Sequence, residues 1–286
     1  MRCIIRFGCV AAAIWSGAAL AQPAPESGEP PARPVIPNFW DPRAKPERPE
    51  ISPTRTARFL TSDDYPPLHF AGPDGNPTGF SVELARAVCE RLRMPCTVQA
   101  RRFDGLLDAL SEGKGDVVAA AIPLNAGLRA RFLATTTYFR LPARFVARRG
   151  GPPLAVSATA LTGKSVAVVE GTAHEAFIGT FFPGAARKPF QNLLLAQGAL
   201  RRGEADYLFA DGLSLALWIG GKASENCCVF AGGPYLESRF FGEGLGFVLR
   251  LDDQALERAI DYALQKLWEE GTYAEIYLRF FPVSPF

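Results

Sequence analysis

The feature that most constrains this chain is an alternation of short apolar strands with helices that carry one apolar stripe. A strand is predicted over residues 57–62 and another over residues 117–121. Leu84, Val88 and Leu92 are spaced four apart, so they share one face of the helix that lies between these strands. Because strands that alternate with helices form parallel sheets covered by helices, the sequence predicts an α/β fold.

This unit occurs twice along the chain. Residues 106–116 and residues 194–206 each contain a leucine-striped helix, a glycine stop and an acidic turn, and each leads into an apolar strand. A last helix is predicted from residue 252 to about residue 268, with Gly271 stopping it. Two similar halves predict two similar lobes.

The same pattern gives expected boundaries for the lobes. We place the first lobe at residues 57–145 plus 240–286 and the second at residues 146–239. Residues 143–148 and 246–250 are extended segments suited to crossing between the lobes. These two segments are therefore predicted to be the crossover strands of a hinge.

The N-terminal residues predict export. Residues 1–21 begin with a positive charge, continue with an apolar stretch too short to span a bilayer, and end in an A-L-A cleavage motif at Ala21, as secretory signal peptides do. Residues 22–56 form a proline-rich leader, which lacks the backbone donors needed for a helix or a sheet. We expect the mature protein in the periplasm, with Phe39 and Trp40 pinning the leader to the domain.

Composition excludes some classes of function. The chain is 48% hydrophobic and 21% charged, as expected for a globular protein with a real core, and its formal net charge is only +2. A nucleic-acid-binding protein would carry a concentrated basic face, which this charge distribution lacks. With only His69 and His174 as histidines, no metal site and no cofactor are expected.

Four cysteines follow the predicted signal peptide, in a compartment where disulfides persist. Cys89 lies late in a predicted helix and Cys96 opens the next strand, so the six residues between them allow a bridge. For the neighbours Cys227 and Cys228, the expectation is two strand residues that face opposite sides, and a strained vicinal disulfide is the alternative.

Six motifs in a fixed order point to a known family. The motifs are SDDYPPLHF, GNPTGFSVELARAVCERL, RFDGLLDALSEGKGDVVAAA, LTGKSVAVVEGTAHEAF, GALRRGEADYLFAD and EEGTYAEIYLRFF. With them the chain resembles the type II periplasmic solute-binding proteins of polar amino-acid ABC importers, family 3, and the Cys89/Cys96 spacing is similar to that of the branch that binds basic amino acids. The resemblance implies a two-lobed periplasmic-binding-protein type II fold with a hinge of two crossover strands.

The resemblance also implies how a ligand carboxylate is held. Arg129 is the nearest match to the arginine that clamps it, although Arg129 falls one residue later than the family spacing and Arg131 is an alternative. The planar guanidinium fork suits this role because it donates two parallel hydrogen bonds. Thr172 and Ala173 match the loop at a helix start whose free amides add to the anion site. The alternative role for Thr172 is an ordinary cap on that helix, which needs no ligand.

Three further residues match the family's ligand contacts. Asp211 matches the aspartate that pairs with the ligand ammonium group, and the alternative role for it is a cap on the helix after it. Tyr65 and Phe103 match the aromatic walls around the ligand side chain, where aromatic faces cover aliphatic groups and attract cations. Either aromatic residue could instead belong to the core.

The resemblance thus predicts a monomeric binding protein that captures a small amino-acid-like ligand between its lobes and delivers it to an ABC permease or a membrane sensor. One alternative is an enzyme on the same fold, of the cyclohexadienyl dehydratase type, with Asp63, Asp64 or Glu170 as the general acid. Another is an accessory or sensor protein of a periplasmic system. The small hydroxyl residues that the family places before the arginine are replaced here by Ala120, Ala121 and Pro123.

Overall fold

The computed structural model describes residues 36–40, 43, 49 and 55–286. The predicted signal peptide and most of the proline-rich leader lie outside these residues. Within the described part, no helix is both long enough and apolar enough to cross a membrane.

Strands and helices alternate along the described chain. The first part contains β1 (Ala57–Thr61), β2 (Asp64–Tyr65), β3 (His69–Ala71), β4 (Pro77–Thr78), α1 (Phe80–Leu92), β5 (Cys96–Ala100), α2 (Leu106–Ser111), β6 (Val117–Val118), α3 (Ala126–Arg129) and β7 (Leu133–Ala134). The middle part contains β8 (Ala143–Arg148), β9 (Ser165–Val169), α4 (Ala173–Phe181), β10 (Ala186–Phe190), α5 (Leu193–Arg202), β11 (Tyr207–Asp211), α6 (Gly212–Gly220), β12 (Cys228–Tyr235) and α7 (Ser238–Phe241). The last part contains β13 (Val248–Leu249), α8 (Gln254–Glu269) and α9 (Thr272–Phe280).

Two five-stranded sheets define two lobes. The first sheet has the order β5-β1-β6-β13-β7 and the second has the order β10-β9-β11-β8-β12. In the first sheet β1 runs parallel to β5 and β6, whereas β13 is antiparallel to β6. In the second sheet β9 runs parallel to β10 and β11, whereas β8 is antiparallel to β11. This is the mixed, two-lobed α/β fold that the sequence predicts.

The chain passes between the sheets at places slightly different from those expected. All residues of β8 belong to the second sheet, so the expected boundary between residues 145 and 146 falls inside a strand. The first crossing therefore comes before Ala143. The second comes between Tyr235, the last residue of β12, and Val248, which begins β13 in the first sheet.

Each lobe has its own aromatic core. Phe80 is fully buried in the first lobe, where its ring packs against Phe139 at 5.6 Å and Phe281 at 5.2 Å between ring centres. In the second lobe the buried Phe145 packs against Phe209 at 4.5 Å. Burial of each such ring contributes roughly 2–3 kcal/mol to folding. The two cores make each lobe a packed unit of its own.

The leader is anchored to the first lobe by the residues expected from the sequence. Trp40 is only 7% exposed and packs against Trp268 at 5.4 Å and Tyr273 at 5.1 Å between ring centres. Phe39 lies 5.7 Å from Phe286. These contacts confirm the predicted pinning of this part of the leader.

The expectation that the helix at residues 252–268 is the last one is wrong. Gly271 separates α8 from a further helix, α9, instead of ending the helical region. Its φ of +87° is the left-handed conformation that glycine adopts easily, so the chain turns there and continues helically at Thr272. Tyr273 and Tyr277 bury one face of α9 in the first-lobe core.

The two disulfides of the described chain divide between the lobes. Cys89 and Cys96 are bonded, with Cα atoms 6.1 Å apart, and they tie the end of α1 to the start of β5 as predicted. Cys227 and Cys228 are also bonded to each other, which corrects the expectation of two unbonded strand residues. The correction has a backbone cause: β12 begins only at Cys228, and Cys227 belongs to the preceding turn.

Candidate functional site

The predicted ligand-contact residues, other than Arg129, lie near the ends of strands, in loops or at helix starts. Tyr65 ends β2, and Phe103 follows β5. Thr172 and Ala173 follow β9 at the start of α4, and Asp211 is the last residue of β11. In open α/β sheets, ligands bind outside the carboxyl ends of the parallel strands.

A buried histidine supports the face of the first lobe. The side chain of His69 is fully buried; its Nε2 accepts the backbone N–H of Ala121 at 3.0 Å and its Nδ1 lies 3.0 Å from Ser62 Oγ. Because Nε2 is an acceptor, the neutral ring carries its proton on Nδ1 and donates it to Ser62. Burial lowers the pKa of His69, against the opposing effect of Asp64. The neutral imidazole thus connects Ser62, which follows β1, with Ala121, which follows β6.

The two predicted aromatic walls flank this histidine. The ring of Tyr65 lies 5.7 Å from that of His69, and the ring of Phe103 stacks at 6.4 Å from it. Tyr65 is 38% exposed and Phe103 is 43% exposed, so neither is a core residue. The structure therefore brings Tyr65 and Phe103 together on one aromatic patch, open to solvent.

The start of α4 forms the matching face of the second lobe. Thr172 Oγ1 accepts the N–H of Glu175 at 3.3 Å, and Glu175 Oε2 accepts the N–H of Gly171 at 2.8 Å. This reciprocal capping pair uses two of the donors at the helix start. The amides of Thr172 and Ala173 make no backbone hydrogen bond to described residues. Those two amides are available to a ligand, although the carboxylate of Glu175 lies close to them.

Asp211 both caps α6 and charges the cleft. Its Oδ2 accepts the N–H of Ser214 at 2.8 Å, and its other carboxylate oxygen accepts no hydrogen bond from the described residues. Burial raises the pKa of Tyr65, and the negative charge of Asp211 raises it further. This electrostatic effect connects the second lobe with the aromatic patch of the first. Burial also lowers the pKa of His174, while Asp211 acts in the opposite direction.

A cavity of about 300 Å³ lies beside Asp211 in the second lobe. The ring of His174 stacks 5.1 Å from that of Phe241 and lies 5.9 Å from that of Phe209, which also lines the cavity. Asn192, at the start of α5, is another lining residue. The cavity therefore combines one carboxylate, helix starts and aromatic rings.

Arg129, the predicted carboxylate clamp, is engaged elsewhere. Its Nε lies 2.9 Å from Glu243 Oε2, and both side chains are about 40% exposed. Leu128, one residue earlier, packs into the first-lobe core. Arg131 lies over the ring of Phe132 at 5.3 Å. The structure thus gives Arg129 an acidic partner in the connection after α7, and neither residue of this pair lines the 300 Å³ cavity.

Sequence reasoning missed several residues of this region. It gave no role to Asn192, which lies two residues after the end of β10 and caps α5, and it considered His69 only as a metal ligand. The position of Asn192 after a strand could have indicated it, since loops at the carboxyl ends of neighbouring parallel strands meet. No local signal indicates His69, because its partner Ala121 lies 52 residues away.

Two α/β lobes, each built on a sheet of the same order and joined by two crossings, define a type II periplasmic binding protein. The chain belongs to the bacterial extracellular solute-binding proteins, family 3, whose model matches residues 57–283.

The chain is also similar to individual binding proteins, both in sequence and in structure. The chain is 30% identical over 227 residues, 79% of its length and 90% of the relative's, to the putative ABC transporter arginine-binding protein 2 of Escherichia coli. A Salmonella typhimurium periplasmic binding protein of high arginine specificity is 25% identical, with a TM-score of 0.51 over 80% of this chain and 100% of that one. Substrate-binding domain 2 of Lactococcus lactis GlnP, in an open conformation, shares the fold with a TM-score of 0.70 at 16% identity, over 83% of this chain and 100% of that one.

Proposed function

We propose that this protein is a periplasmic receptor that captures a small amino-acid-like ligand between its lobes and presents it to an ABC permease. The observation that carries the proposal is the carboxylate of Asp211, which borders a cavity in the second lobe and acts electrostatically on Tyr65 in the first. A carboxylate of the second lobe whose charge affects a side chain of the first lobe suits a ligand held by both lobes. The family and the names of the arginine-binding relatives support the amino-acid class.

Each site residue has a distinct task in this proposal. Asp211 receives the ligand ammonium group, and the rings of Tyr65 and Phe103 cover its side chain. The free amides of Thr172 and Ala173 contribute to holding the carboxylate. Closure of the lobes then surrounds the ligand, as in other hinged binding proteins.

We further propose that Arg129 is the clamp for the ligand carboxylate. In the present structure Arg129 is paired with Glu243, so binding would exchange one carboxylate for another. Because both side chains are about 40% exposed, the pair with Glu243 is weak and the exchange costs little.

The ligand leaves unchanged in this proposal. The cleft residues supply fixed charges, helix-start amides and aromatic rings, which suit reversible capture. Turnover would need a proton donor with a pKa tuned near neutrality. Glu170, the candidate acid of the alternative enzyme, is an exposed side chain just after β9.

The central test compares Asp211, the last residue of β11, with Asp206, which lies just before the first residue of β11. Asp211→Asn keeps the cap on α6, since asparagine caps helices as well as aspartate does, but it removes the charge. We expect the affinity for L-arginine, measured by isothermal titration calorimetry, to fall by about 2–5 kcal/mol, or roughly 30-fold or more. The control is Asp206→Asn, just before the other end of β11, where the carboxylate bonds Ser165.

The outcomes separate the candidate functions. If both variants bind L-arginine as tightly as the wild type does, Asp211 does not bind the ligand. If L-arginine, L-lysine and L-histidine all fail to bind the wild type, the ligand is not a basic amino acid. Mass spectrometry of the solution after incubation decides about catalysis: a product that Glu170→Gln abolishes would replace the receptor with an enzyme.

A further inference from the structure

A second, larger cavity lies away from the cleft site, against the anchored part of the leader. Its volume is about 780 Å³, and it has no lining residue in common with the cavity beside Asp211. The walls come from distant parts of the chain: Trp40 in the leader, Arg140 before β8, Arg144 in β8, Pro234 in β12 and Phe286. Two arginines thus meet in one cavity.

Arg144 is a buried cation without a counter-charge. It is 8% exposed, and its guanidinium group lies 4.3 Å from the centre of the Phe230 ring. Its Nε donates to the carbonyl of Gly232 at 3.0 Å and its Nη1 to that of Pro285 at 3.4 Å, so its partners are neutral. No carboxylate of the described residues pairs with Arg144. Burial lowers the pKa of Arg144, which reflects the cost of keeping this charge from water.

Hydrogen bonding around the same cavity is incomplete. Two buried side-chain nitrogens lack a partner among residues 36–40, 43, 49 and 55–286: Nε1 of Trp40 and Nε of Arg140. Both belong to residues that line this cavity. A buried donor without an acceptor costs about 1–3 kcal/mol, so such groups are rare unless a missing partner completes them. These two nitrogens have almost no accessible surface, so a ligand reaches them only after a local side-chain movement. The observation that indicates an acceptor of negative charge is the unpaired guanidinium group of Arg144.

We propose that this cavity is a binding site for a small organic carboxylate with an apolar body. A carboxylate matches the guanidinium fork, since two oxygens can accept two parallel hydrogen bonds. The remaining walls, which include Phe39, Pro234 and Leu236, suit an aromatic or branched body better than a fully hydrated inorganic anion. Arg144 supplies the buried charge and Arg140 the second donor group.

Benzoate is the probe that tests this site. The mature full-length protein is titrated calorimetrically with sodium benzoate, at an ionic strength held constant with sodium chloride. We expect saturable binding of one benzoate, with an affinity that falls at least tenfold in Arg140→Gln. No hydrogen bond or ion pair joins the Arg140 side chain to the described residues, so this variant should fold normally, as circular dichroism will check. Arg202→Gln, which removes an exposed arginine paired with Glu204, is the matched control and should bind like the wild type.

Further arms of the experiment separate this site from the cleft and from other anions. Asp211→Asn should keep the full benzoate affinity, because Asp211 lines the other cavity. Loss of benzoate binding in Asp211→Asn would place the ligand in the cleft and overturn the proposal. Phosphate that binds more tightly than benzoate would overturn the carboxylate assignment. Absence of saturable binding in the wild type, or equal affinity in Arg140→Gln, would overturn the site itself.

Discussion

The two lobes share one sheet design but present different chemistry to the space between them. In each sheet, three parallel strands are followed by an antiparallel strand, which is β13 in the first lobe and β8 in the second. Each of these two strands is the first strand after the chain has crossed from the other sheet. The first lobe presents the rings of Tyr65 and Phe103 on either side of a neutral histidine. The second presents Asp211, a helix start and a cavity.

This difference follows from where polar groups find their partners. In the first lobe, both ring nitrogens of His69 are used within the lobe, so what reaches the cleft there is mainly aromatic surface. In the second lobe, Asp211 uses one oxygen for its cap and keeps negative charge in the cleft. In the proposed function, a zwitterionic ligand contacts both faces, and Arg129 is the proposed positive partner of its carboxylate.

The largest expected effect concerns that positive partner. If Arg129 is the clamp, Arg129→Ala should weaken binding of L-arginine by about 2–5 kcal/mol, because the ligand carboxylate would be desolvated without a partner. Glu243→Gln should instead tighten binding, since it frees Arg129 from its ion pair. Arg131→Ala is the matched control. Calorimetry on the three variants is the measurement, and a loss confined to Arg131→Ala would transfer the role to that residue.

The order of elements could be predicted from the sequence because apolar periodicity and glycine stops are local signals. The turn before β12 could not: Glu225 and Asn226 both adopt left-handed φ values, of 51° and 55°, although neither is glycine. Those residues hold Cys227 outside the strand, where it bonds to Cys228. A pattern that assumes alternating strand residues cannot anticipate this.

The neighbours of a residue along the chain indicate its helix cap but not its long-range contacts, and the ligand roles of the candidate residues stay predictions. Thr172 and Asp211 precede helices and cap them, as their positions indicate. The ion pair of Arg129 with Glu243 spans 114 residues, so the sequence around Arg129 carries no sign of it. The same holds for the cavity of Arg140 and Arg144, whose walls come from both ends of the folded chain.

The disulfides offer a smaller contrast between the lobes. The bond between Cys89 and Cys96 closes a loop with a sequence separation of 7, whereas the bond between Cys227 and Cys228 joins neighbours. Loop closure restricts the unfolded chain more when the loop is longer, so Cys89→Ala/Cys96→Ala should lower the free energy of unfolding by about 2 kcal/mol. Cys227→Ala/Cys228→Ala should cost less than half as much.

Urea unfolding of both double variants measures this difference, after non-reducing peptide mapping has verified the bonds in the wild type. An equal or larger loss for the Cys227/Cys228 pair would mean that its bond mainly stabilises the folded turn before β12. The second lobe would then depend on its disulfide as much as the first does.

The smallest expected effect is a difference in pH dependence between the two histidines. Burial lowers the folded-state pKa of both His69 and His174, so the stability that each contributes is complete above the unfolded value of about 6.5. It is lost as the pH falls through the folded-state pKa, with a slope of at most about 1.4 kcal/mol per pH unit for each histidine.

Protonation of His69 would turn its acceptor for the Ala121 N–H into a donor, whereas the charge of Asp211 partly stabilises a protonated His174. We therefore expect His69→Gln to reduce the stability difference between pH 7.5 and pH 5.5, measured by urea unfolding, more than His174→Gln does. The reverse order would show that His174 in the second lobe, and not His69 in the first, makes the larger contribution to the loss of stability in acid.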